Sequence, residues 1–332
     1  MIIHDHRLAI TDLNWSPGNF LVTSSLDCSV RLYHVNTQVC LCVFRHTDCV
    51  SSACFHPINE SLFLTGCVDG RTRVWSIPEK KVVSWNESYD IPITAVAFTK
   101  DGSTIIVGTV TGLCIFYDFI GLKYITQIQI TGTRAKPKDG KITGIENMPN
   151  TIEGEEKILI TSTDSRVTLI NVNDRSIFRK YKGCDFKSGR LFANFSFNAQ
   201  YILCGTDDRH VVIWDTTAET YHQQFSGILS GVLQWQSDSK ASCGQEKLAI
   251  SQDPITFALF APWPCIDDGG KHRNPTNPTS YFGDHATHPA NNDGIVVIVA
   301  DIYGRIRVFE NSLAFNDGGL AQPLGLFASA TG

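Results

Sequence analysis

The sequence lacks the features that would place it in a membrane or in the secretory pathway. Its longest uninterrupted apolar run, Ile295 to Ala300, has six residues, whereas a membrane-spanning helix needs about 20. The first ten residues, MIIHDHRLAI, contain no apolar core and no cleavage site, so we expect no signal peptide. The eleven cysteines are an odd number and include no CxxC motif. We therefore predict a cytoplasmic protein with reduced thiols.

A surplus of positive charge is also missing. The chain has 28 Lys and Arg residues against 33 Asp and Glu residues, a formal net charge of −5. Because binding to phosphate backbones depends on a basic surplus, we expect no nucleic-acid partner. Hydrophobic residues make up 42% of the chain and charged residues 18%, which is typical of a globular rather than a disordered protein.

What the sequence does have is a repeat of short strands that alternate with period two. Each strand follows a turn, and the six strands are VRLYH (30–34), RVWSI (73–77), CIFYD (114–118), VTLIN (167–171), VIWDT (212–216) and RIRVF (305–309). One turn position holds an acid in four repeats (Asp27, Asp69, Asp164, Asp208) and Thr111 or Tyr303 in the others. Successive steps are 42, 42, 53, 44 and 95 residues, and a four-stranded propeller blade takes roughly 40–45. The pattern predicts an all-β propeller with six recognisable blades and insertions in the two longer steps.

A histidine marks the start of the first two repeats. His6 precedes Trp15 by nine residues and His46 precedes Phe55 by nine, each ahead of a predicted inner strand, ITDLNW or VSSACF. With the turn Asp, this arrangement resembles the WD repeat, a family in which seven blades are expected.

The resemblance implies a hydrogen-bonded set inside a blade. In WD repeats the turn Asp binds the His, the His binds a Ser or Thr of the second strand, and that hydroxyl binds the Trp indole. The positions that match are His46, Thr65, Asp69 and Trp75 in the second repeat and His6, Thr23, Asp27 and Tyr33 in the first. Asp164, Asp208 and Trp214 are the remaining structural positions, in degenerate repeats where Val107, Ile170 and Cys204 replace polar partners or Trp. We predict a structural role for all eleven.

Six blades leave two interpretations open. Propellers remove open sheet edges by letting one blade take a strand from the other end of the chain, but the segment before His6 is short and the tail after Phe309 is rich in Gly, Pro and Ala. Either six blades close imperfectly, or the chain lacks upstream sequence that carries a seventh, and we favour the second interpretation. We predict a propeller over 1–312 with a disordered insert at 264–294, followed by a flexible tail at 313–332.

A narrower resemblance is carried by predicted loops and outer strands. Its motifs are CLCVFRH (40–46), DGRTRVWSIPEKKV (69–82), Trp85–Asn86, LKYITQI (122–128) and FAPWP (260–264). They resemble the WD-repeat region of Rab-binding, rabphilin-like effectors of recycling endosomes. This implies a non-enzymatic interaction scaffold of Rab-linked vesicle trafficking, peripheral on endosomal or Golgi membranes, with a small GTPase or trafficking adaptor as partner. In that family the Rab contact is attributed to a region ahead of the propeller, so Rab binding is assigned to no residue here.

Two long loops are the predicted docking points. The loop 131–141 carries Arg134, Lys136, Lys138 and Lys141, which suit an acidic or phosphorylated segment or a weak contact with an anionic membrane. The loop 226–252 carries Trp235, a candidate aromatic anchor. A solvated loop and a locally packed Trp are the competing interpretations. The basic loop also supports an alternative function, the substrate receptor of a ubiquitin ligase complex.

Signatures of enzymes and metal sites are not found. The sequence contains no GxSxG, HExxH, GxxxxGK[ST] or helix-opening GxGxxG motif, so we predict no catalytic residue and no cofactor. Metal-binding residue types do cluster within 46–56 and 265–288. However, His46 belongs to the repeat, and the composition of the second segment favours disorder. We therefore predict no metal ligands.

Overall fold

The described residues form six antiparallel sheets, whose strands follow one another in chain order. The computed structural model describes residues 5–37, 39–88, 90–130, 140–151, 154–184, 192–217, 245–249, 253–261, 296–303 and 305–310. We call the sheets blades one to six in chain order. The chain divides into two compact units: Met1–Tyr181, which holds blades one to four, and Lys182–Gly332, which holds blades five and six.

Each blade of the first unit has four strands. Blade one comprises β1 (Ile10–Trp15), β2 (Phe20–Ser25), β3 (Ser29–His34) and β4 (Cys42–Arg45). Blade two comprises β5 (Val50–Phe55), β6 (Leu62–Cys67), β7 (Arg71–Ser76) and β8 (Lys81–Glu87). Blade three comprises β9 (Ile93–Phe98), β10 (Thr104–Thr109), β11 (Leu113–Asp118) and β12 (Lys123–Gln129), with a 3-10 turn at Ile120–Leu122 before β12. Blade four comprises β13 (Ile142–Asn147), β14 (Lys157–Ser162), β15 (Arg166–Asn171) and β16 (Ile177–Tyr181).

The second unit contains one four-stranded and one three-stranded sheet among its described residues. Blade five comprises β17 (Ala193–Phe195), β18 (Tyr201–Gly205), β19 (His210–Asp215) and β20 (Gln245–Ala249). Blade six comprises β21 (Ile255–Phe260), β22 (Val296–Asp301) and β23 (Ile306–Glu310). The prediction of an all-β chain with six recognisable blades is confirmed, and each predicted repeat strand coincides with the third strand of a blade to within two residues at either end.

Strict alternation of apolar and polar residues would predict strands that are buried on one face only. The middle strands of the blades are instead buried on both faces. In β10 the residues Ile105, Ile106 and Val107 are all fully buried, because the sheet packs between two neighbouring blades. The apolar clusters of the first unit accordingly join blade one to two, two to three and three to four. The core therefore lies between successive sheets, and a continuous apolar run replaces strict alternation.

Close packing between blades depends on glycine in the second strand. A Cβ on Gly66 would lie 2.5 Å from Ile93 Cγ2, and one on Gly108 would lie 2.5 Å from Ile142 Cγ2. In the second unit a Cβ on Gly205 would lie 2.6 Å from Ile255 Cγ2. In each case the first strand of the next blade sits against the bare backbone of the strand before it.

The predicted insert at 264–294 and the tail at 313–332 lie outside the described residues, so these predictions stand untested. The acidic segment ENMPNTIEGEEK (146–157) links β13 to β14. Within the part of the chain that the structure describes, no helix has the length and apolar character needed to cross a bilayer.

Candidate interaction surface

In blade one His6, Thr23 and Asp27 of the predicted set are connected, whereas Tyr33 donates its hydroxyl to Asp5 Oδ2 at 3.1 Å and not to Thr23. His6 Nδ1 donates to Asp27 Oδ2 at 2.9 Å, and His6 Nε2 lies 2.8 Å from Thr23 Oγ1. Burial alone would raise the pKa of the Asp27 carboxyl, but hydrogen bonds from Ser29, the Arg7 amide and His6 outweigh it and hold this pKa well below its usual range. The carboxylate therefore stays ionised and fixes the turn between β2 and β3.

Blade two keeps part of the expected set and changes the rest. His46 Nε2 lies 3.1 Å from Thr65 Oγ1, which also accepts the indole N–H of Trp75 at 3.1 Å. Asp69, however, does not bind His46, contrary to the expectation from the family. Its carboxylate instead accepts from Arg73 Nη2 at 2.6 Å and from a neighbouring threonine.

Charge explains why Asp69 binds Arg73 and not His46. Arg73 follows Asp69 by four residues on the next strand, and a guanidinium binds a carboxylate more strongly than a neutral imidazole does. His46 turns its Nδ1 to the Phe44 carbonyl at 3.2 Å. Burial, with the nearby Arg73 cation, lowers the pKa of His46 from 6.5 to about 4. The imidazole is therefore neutral at pH 7.

In the degenerate repeats the turn Asp binds close to its own turn. Asp164 accepts from Ser162 Oγ at 2.5 Å. Asp208 accepts from the Thr206 hydroxyl and from Lys247 Nζ, the latter at 2.5 Å. Trp214 donates its indole N–H to the Lys182 carbonyl at 3.0 Å. The acid in these blades shapes the turn through a hydroxyl two residues earlier.

A second set of hydroxyls joins neighbouring blades, and our sequence reasoning missed it. Thr11 Oγ1 donates to the Val50 carbonyl at 2.6 Å, and Ser51 Oγ donates to the Ile93 carbonyl at 2.7 Å. Thr94 Oγ1 donates to the carbonyl of Ile142 at 2.6 Å. We call these contacts the inter-blade hydroxyl bonds. Their signal was present in the sequence, because the dipeptide Ile-Thr or Val-Ser opens the inner strand of blades one to four and of blade six.

Most of the predicted docking residues cannot be placed. Arg134, Lys136, Lys138 and Trp235 lie outside the described residues. Lys141 is half-buried just ahead of β13, and its carbonyl accepts from the Thr163 amide at 2.9 Å. The basic loop and the Trp loop therefore stay predictions from the sequence.

The described residues include further exposed apolar side chains on the last strands of blades two and three and in the turn before β12. Large apolar side chains project into solvent there; we call the group the edge-strand patch, and its members are Val83, Trp85, Ile120, Tyr124 and Ile125. Trp85 and Tyr124 are each 56% exposed. Lone exposed apolar residues are ordinary, but a group of them with two aromatics is typical of a binding surface.

Polar contacts hold the residues of the edge-strand patch and their backbone in place. The guanidinium of Arg71 lies 5.3 Å from the centre of the Trp85 ring and 3.6 Å from the carboxylate of Glu87. Asn86 Nδ2 donates to the Leu122 carbonyl at 2.7 Å and thereby ties β8 to the turn before β12. The two blades consequently present their aromatic side chains from a fixed backbone.

Comparison with known proteins agrees with this repeat architecture. The model of the family described as WD domain, G-beta repeat matches residues 1–34, 38–76 and 188–215. The chain belongs to the WD-repeat family. The matched segments lie in blades one, two and five, and the family model does not match blades three, four and six.

Three relatives illustrate how far this WD-repeat similarity extends. The chain is 39% identical over 317 residues to WD repeat-containing protein 44 of Xenopus laevis, covering 92% of this chain and 33% of the relative. It is 31% identical over 212 residues to an uncharacterized WD repeat-containing protein of Schizosaccharomyces pombe, covering 63% and 36%. It is 26% identical over 231 residues to 2-deoxy-glucose resistant protein 2 of Saccharomyces cerevisiae, covering 64% and 27%. The chain thus spans about a third of the length of these curated relatives.

Proposed function

We propose that this WD-repeat chain is a non-enzymatic scaffold of Rab-linked vesicle trafficking that binds a protein adaptor through the edge-strand patch. The trafficking part rests on the resemblance in loops and outer strands and on the similarity to WD repeat-containing protein 44 over 92% of the chain. The docking part rests on the exposed aromatics of β8 and β12. We assign the patch to an adaptor rather than to the GTPase itself.

One observation carries the proposal: two motifs of the narrower resemblance coincide with the patch. Trp85–Asn86 lies in β8, and LKYITQI (122–128) runs from the turn into β12. A general WD repeat needs apolar residues between its sheets, but it does not need exposed Trp and Tyr on last strands. These side chains are therefore better explained by binding than by folding.

The chemistry of the patch suits a partner with an apolar anchor and acidic flanks. Trp and Tyr bury large areas at a low entropic cost, and Arg is a frequent member of such binding centres. Lys123 begins β12 and Lys81, which pairs with Glu79 at 2.9 Å, begins β8; Lys123 favours an acidic residue at the rim of the partner. The lysines also discourage strand-to-strand aggregation at the exposed edges.

The test compares matched aromatic variants in cells and in solution. The variant Trp85→Ala/Tyr124→Ala should lose its position on recycling endosomes, while Phe178→Ala, an exposed aromatic on the last strand of blade four, should keep it. An adaptor that co-precipitates with the wild type should bind the double variant about 30-fold or more weakly, as the removal of a binding hot spot of about 2 kcal/mol predicts.

Two results would contradict the proposal. A diffuse wild-type chain that co-purifies with a ubiquitin ligase adaptor would favour the alternative function. An endosomal double variant with undiminished adaptor binding would exclude the edge-strand patch as the docking site and leave the trafficking role intact.

A further inference from the structure

Two cysteines and an aspartate from neighbouring blades come together at one end of the first unit. Cys28 lies in the turn between β2 and β3 of blade one, while Asp48 and Cys49 precede β5 of blade two. The sulfur atoms and a carboxylate oxygen all lie within 4.8 Å of one another. Among the described residues this is the one group of three or more side chains arranged to hold a metal ion.

We propose that Cys28, Asp48 and Cys49 form a binding site for a thiophilic divalent cation of the zinc type. Zinc takes cysteine sulfur at about 2.3 Å and carboxylate oxygen at about 2.0–2.2 Å, in a tetrahedron. Two sulfurs on one tetrahedral zinc therefore lie roughly 3.8 Å apart. Ligand atoms that are already within 4.8 Å of one another reach this geometry by side-chain rotation and small shifts.

The backbone on both sides of the site is fixed. The Cys28 carbonyl accepts from the His46 amide at 2.9 Å, and the Cys49 carbonyl accepts from the Val68 amide at 3.0 Å. The carboxylate of Asp48 accepts from the Cys49 amide at 2.7 Å. Because these bonds hold the main chain, the ligand residues would lose little conformational entropy when a metal ion binds.

The thiols of Cys28 and Cys49 both lie near the carbonyl oxygen of Leu26. Cys49 Sγ lies 3.3 Å and Cys28 Sγ 3.8 Å from the carbonyl oxygen of Leu26. All three proposed ligand residues are half-buried, so an ion could enter from solvent.

The site supplies three protein ligands and leaves a fourth position for water or for a ligand from a partner. Three protein ligands with an open position are the pattern of accessible rather than closed zinc sites. The bound ion would also tie the turn of blade one to the entry of blade two. From the sequence we predicted no metal ligands within 46–56 because His46 belongs to the repeat, and we did not consider Cys28, which no linear motif joins to Asp48 and Cys49.

The experiment titrates Zn²⁺ into the full chain, reduced and freed of metal, against a chromophoric chelator. The wild type should bind one equivalent more than Cys28→Ser/Cys49→Ser. The control Cys40→Ser/Cys42→Ser, which removes two half-buried thiols from the same blade, should bind as the wild type does. The stoichiometric difference is the readout because the chain has further Cys and His residues at 265–288.

Two further measurements identify the ligands. Asp48→Asn, which leaves both thiols in place, should weaken this site by about tenfold or more. The Co²⁺-loaded wild type should show a thiolate-to-metal absorption band that the Cys28→Ser/Cys49→Ser variant reduces and the control variant does not.

Equal zinc stoichiometry in the wild type and in Cys28→Ser/Cys49→Ser would overturn the proposal. So would a Cys28–Cys49 disulfide, seen as the loss of two hydrogens in the mass of the unreduced chain, if reduction restored no zinc binding. Should the double cysteine variant fail to fold, judged by its circular dichroism, Asp48→Asn and the cobalt spectrum of the wild type decide the question.

Discussion

Protonation of His46 should destabilise the chain in mildly acidic solution. The imidazole is half-buried beside Trp75, with ring centres 4.8 Å apart, and the cation of Arg73 lies nearby. Burial and this cation lower the pKa of His46 from 6.5 to about 4. The folded chain therefore keeps the ring neutral at a pH at which the unfolded chain already protonates it.

The pKa difference of His46 between the folded and the unfolded chain determines how the free energy of unfolding changes with pH. Above pH 6.5 both states hold a neutral ring, and the contribution to stability is complete. As the pH falls below 6.5 the unfolded state binds the proton first, so the free energy of unfolding decreases until the folded ring also protonates near pH 4. Each pKa unit is worth 1.36 kcal/mol, so the full loss is about 3 kcal/mol, of which about 2 kcal/mol has occurred at pH 5.

Urea unfolding followed by tryptophan fluorescence between pH 7.5 and 5 measures this loss. Because other groups titrate in the same range, the quantity of interest is the difference between the wild type and His46→Gln, which should flatten the pH dependence by about 2 kcal/mol. Thr65→Val is the matched control: it should destabilise the chain by about 1–3 kcal/mol at every pH, because it removes the partner of two buried groups, but it retains the titrating ring. If His46→Gln and the wild type lost stability in parallel down to pH 5, the assignment of His46 as a half-buried ring that stays neutral in the folded chain would be wrong.

Three further predictions concern stability in the first unit. Gly66→Ala should lower the free energy of unfolding by about 1–3 kcal/mol, since its methyl group would press on Ile93, and unchanged thermal melting would contradict the packing described above. Thr94→Val should cost about 1 kcal/mol through loss of the bond to the next blade, and hydrogen exchange at the interface of blades three and four should increase. Asp69→Ala should cost about 1–3 kcal/mol by leaving Arg73 without its carboxylate, and the additional change Arg73→Met should recover part of this loss in the same urea assay.

Much of the fold could be predicted from the sequence because its determinants are local. The inner strands ITDLNW and VSSACF were predicted with the bounds that β1 and β5 have. Period-two alternation indicates which segments are strands, and a turn position that recurs at steps of 42, 42 and 44 residues, with two longer steps, indicates the blade register. The histidine of blade one could be paired with its Asp and Thr because the resemblance supplied the partners.

Other contacts could not be predicted, because they depend on competition between side chains or on two blades meeting. A repeat pattern places Asp69 beside His46, and only the geometry reveals that Arg73 takes the carboxylate. The group of Cys28, Asp48 and Cys49 exists because a turn of one blade meets the entry strand of the next. The exposure of Trp85 and Tyr124 likewise depends on what the neighbouring strands leave uncovered.

Blade three shows how the side-chain hydrogen bonds within a blade can be replaced. The inter-blade hydroxyl bonds differ from them in this respect. In blade three Ser88, Val107 and Tyr117 stand where blade two has His46, Thr65 and Trp75, and the Ser88 and Tyr117 hydroxyls lie 3.2 Å apart. When both partners of a buried bond are replaced together, no polar group is orphaned and the cost is small. Side-chain sets can therefore change as a group within a blade.

In the inter-blade hydroxyl bonds the two partners cannot be replaced together. Their acceptors are main-chain carbonyls, such as those of Ile93 and Ile142, which no substitution removes. Loss of the donor at Ser51 or Thr94 would therefore take a partner from a carbonyl packed between two sheets. In blades one to three the second residue of the inner strand makes this bond, although blade three lacks the His, Thr and Trp set. We therefore expect the loss of an inter-blade hydroxyl to be harder to compensate by a second substitution than the loss of one member of the Asp and His set.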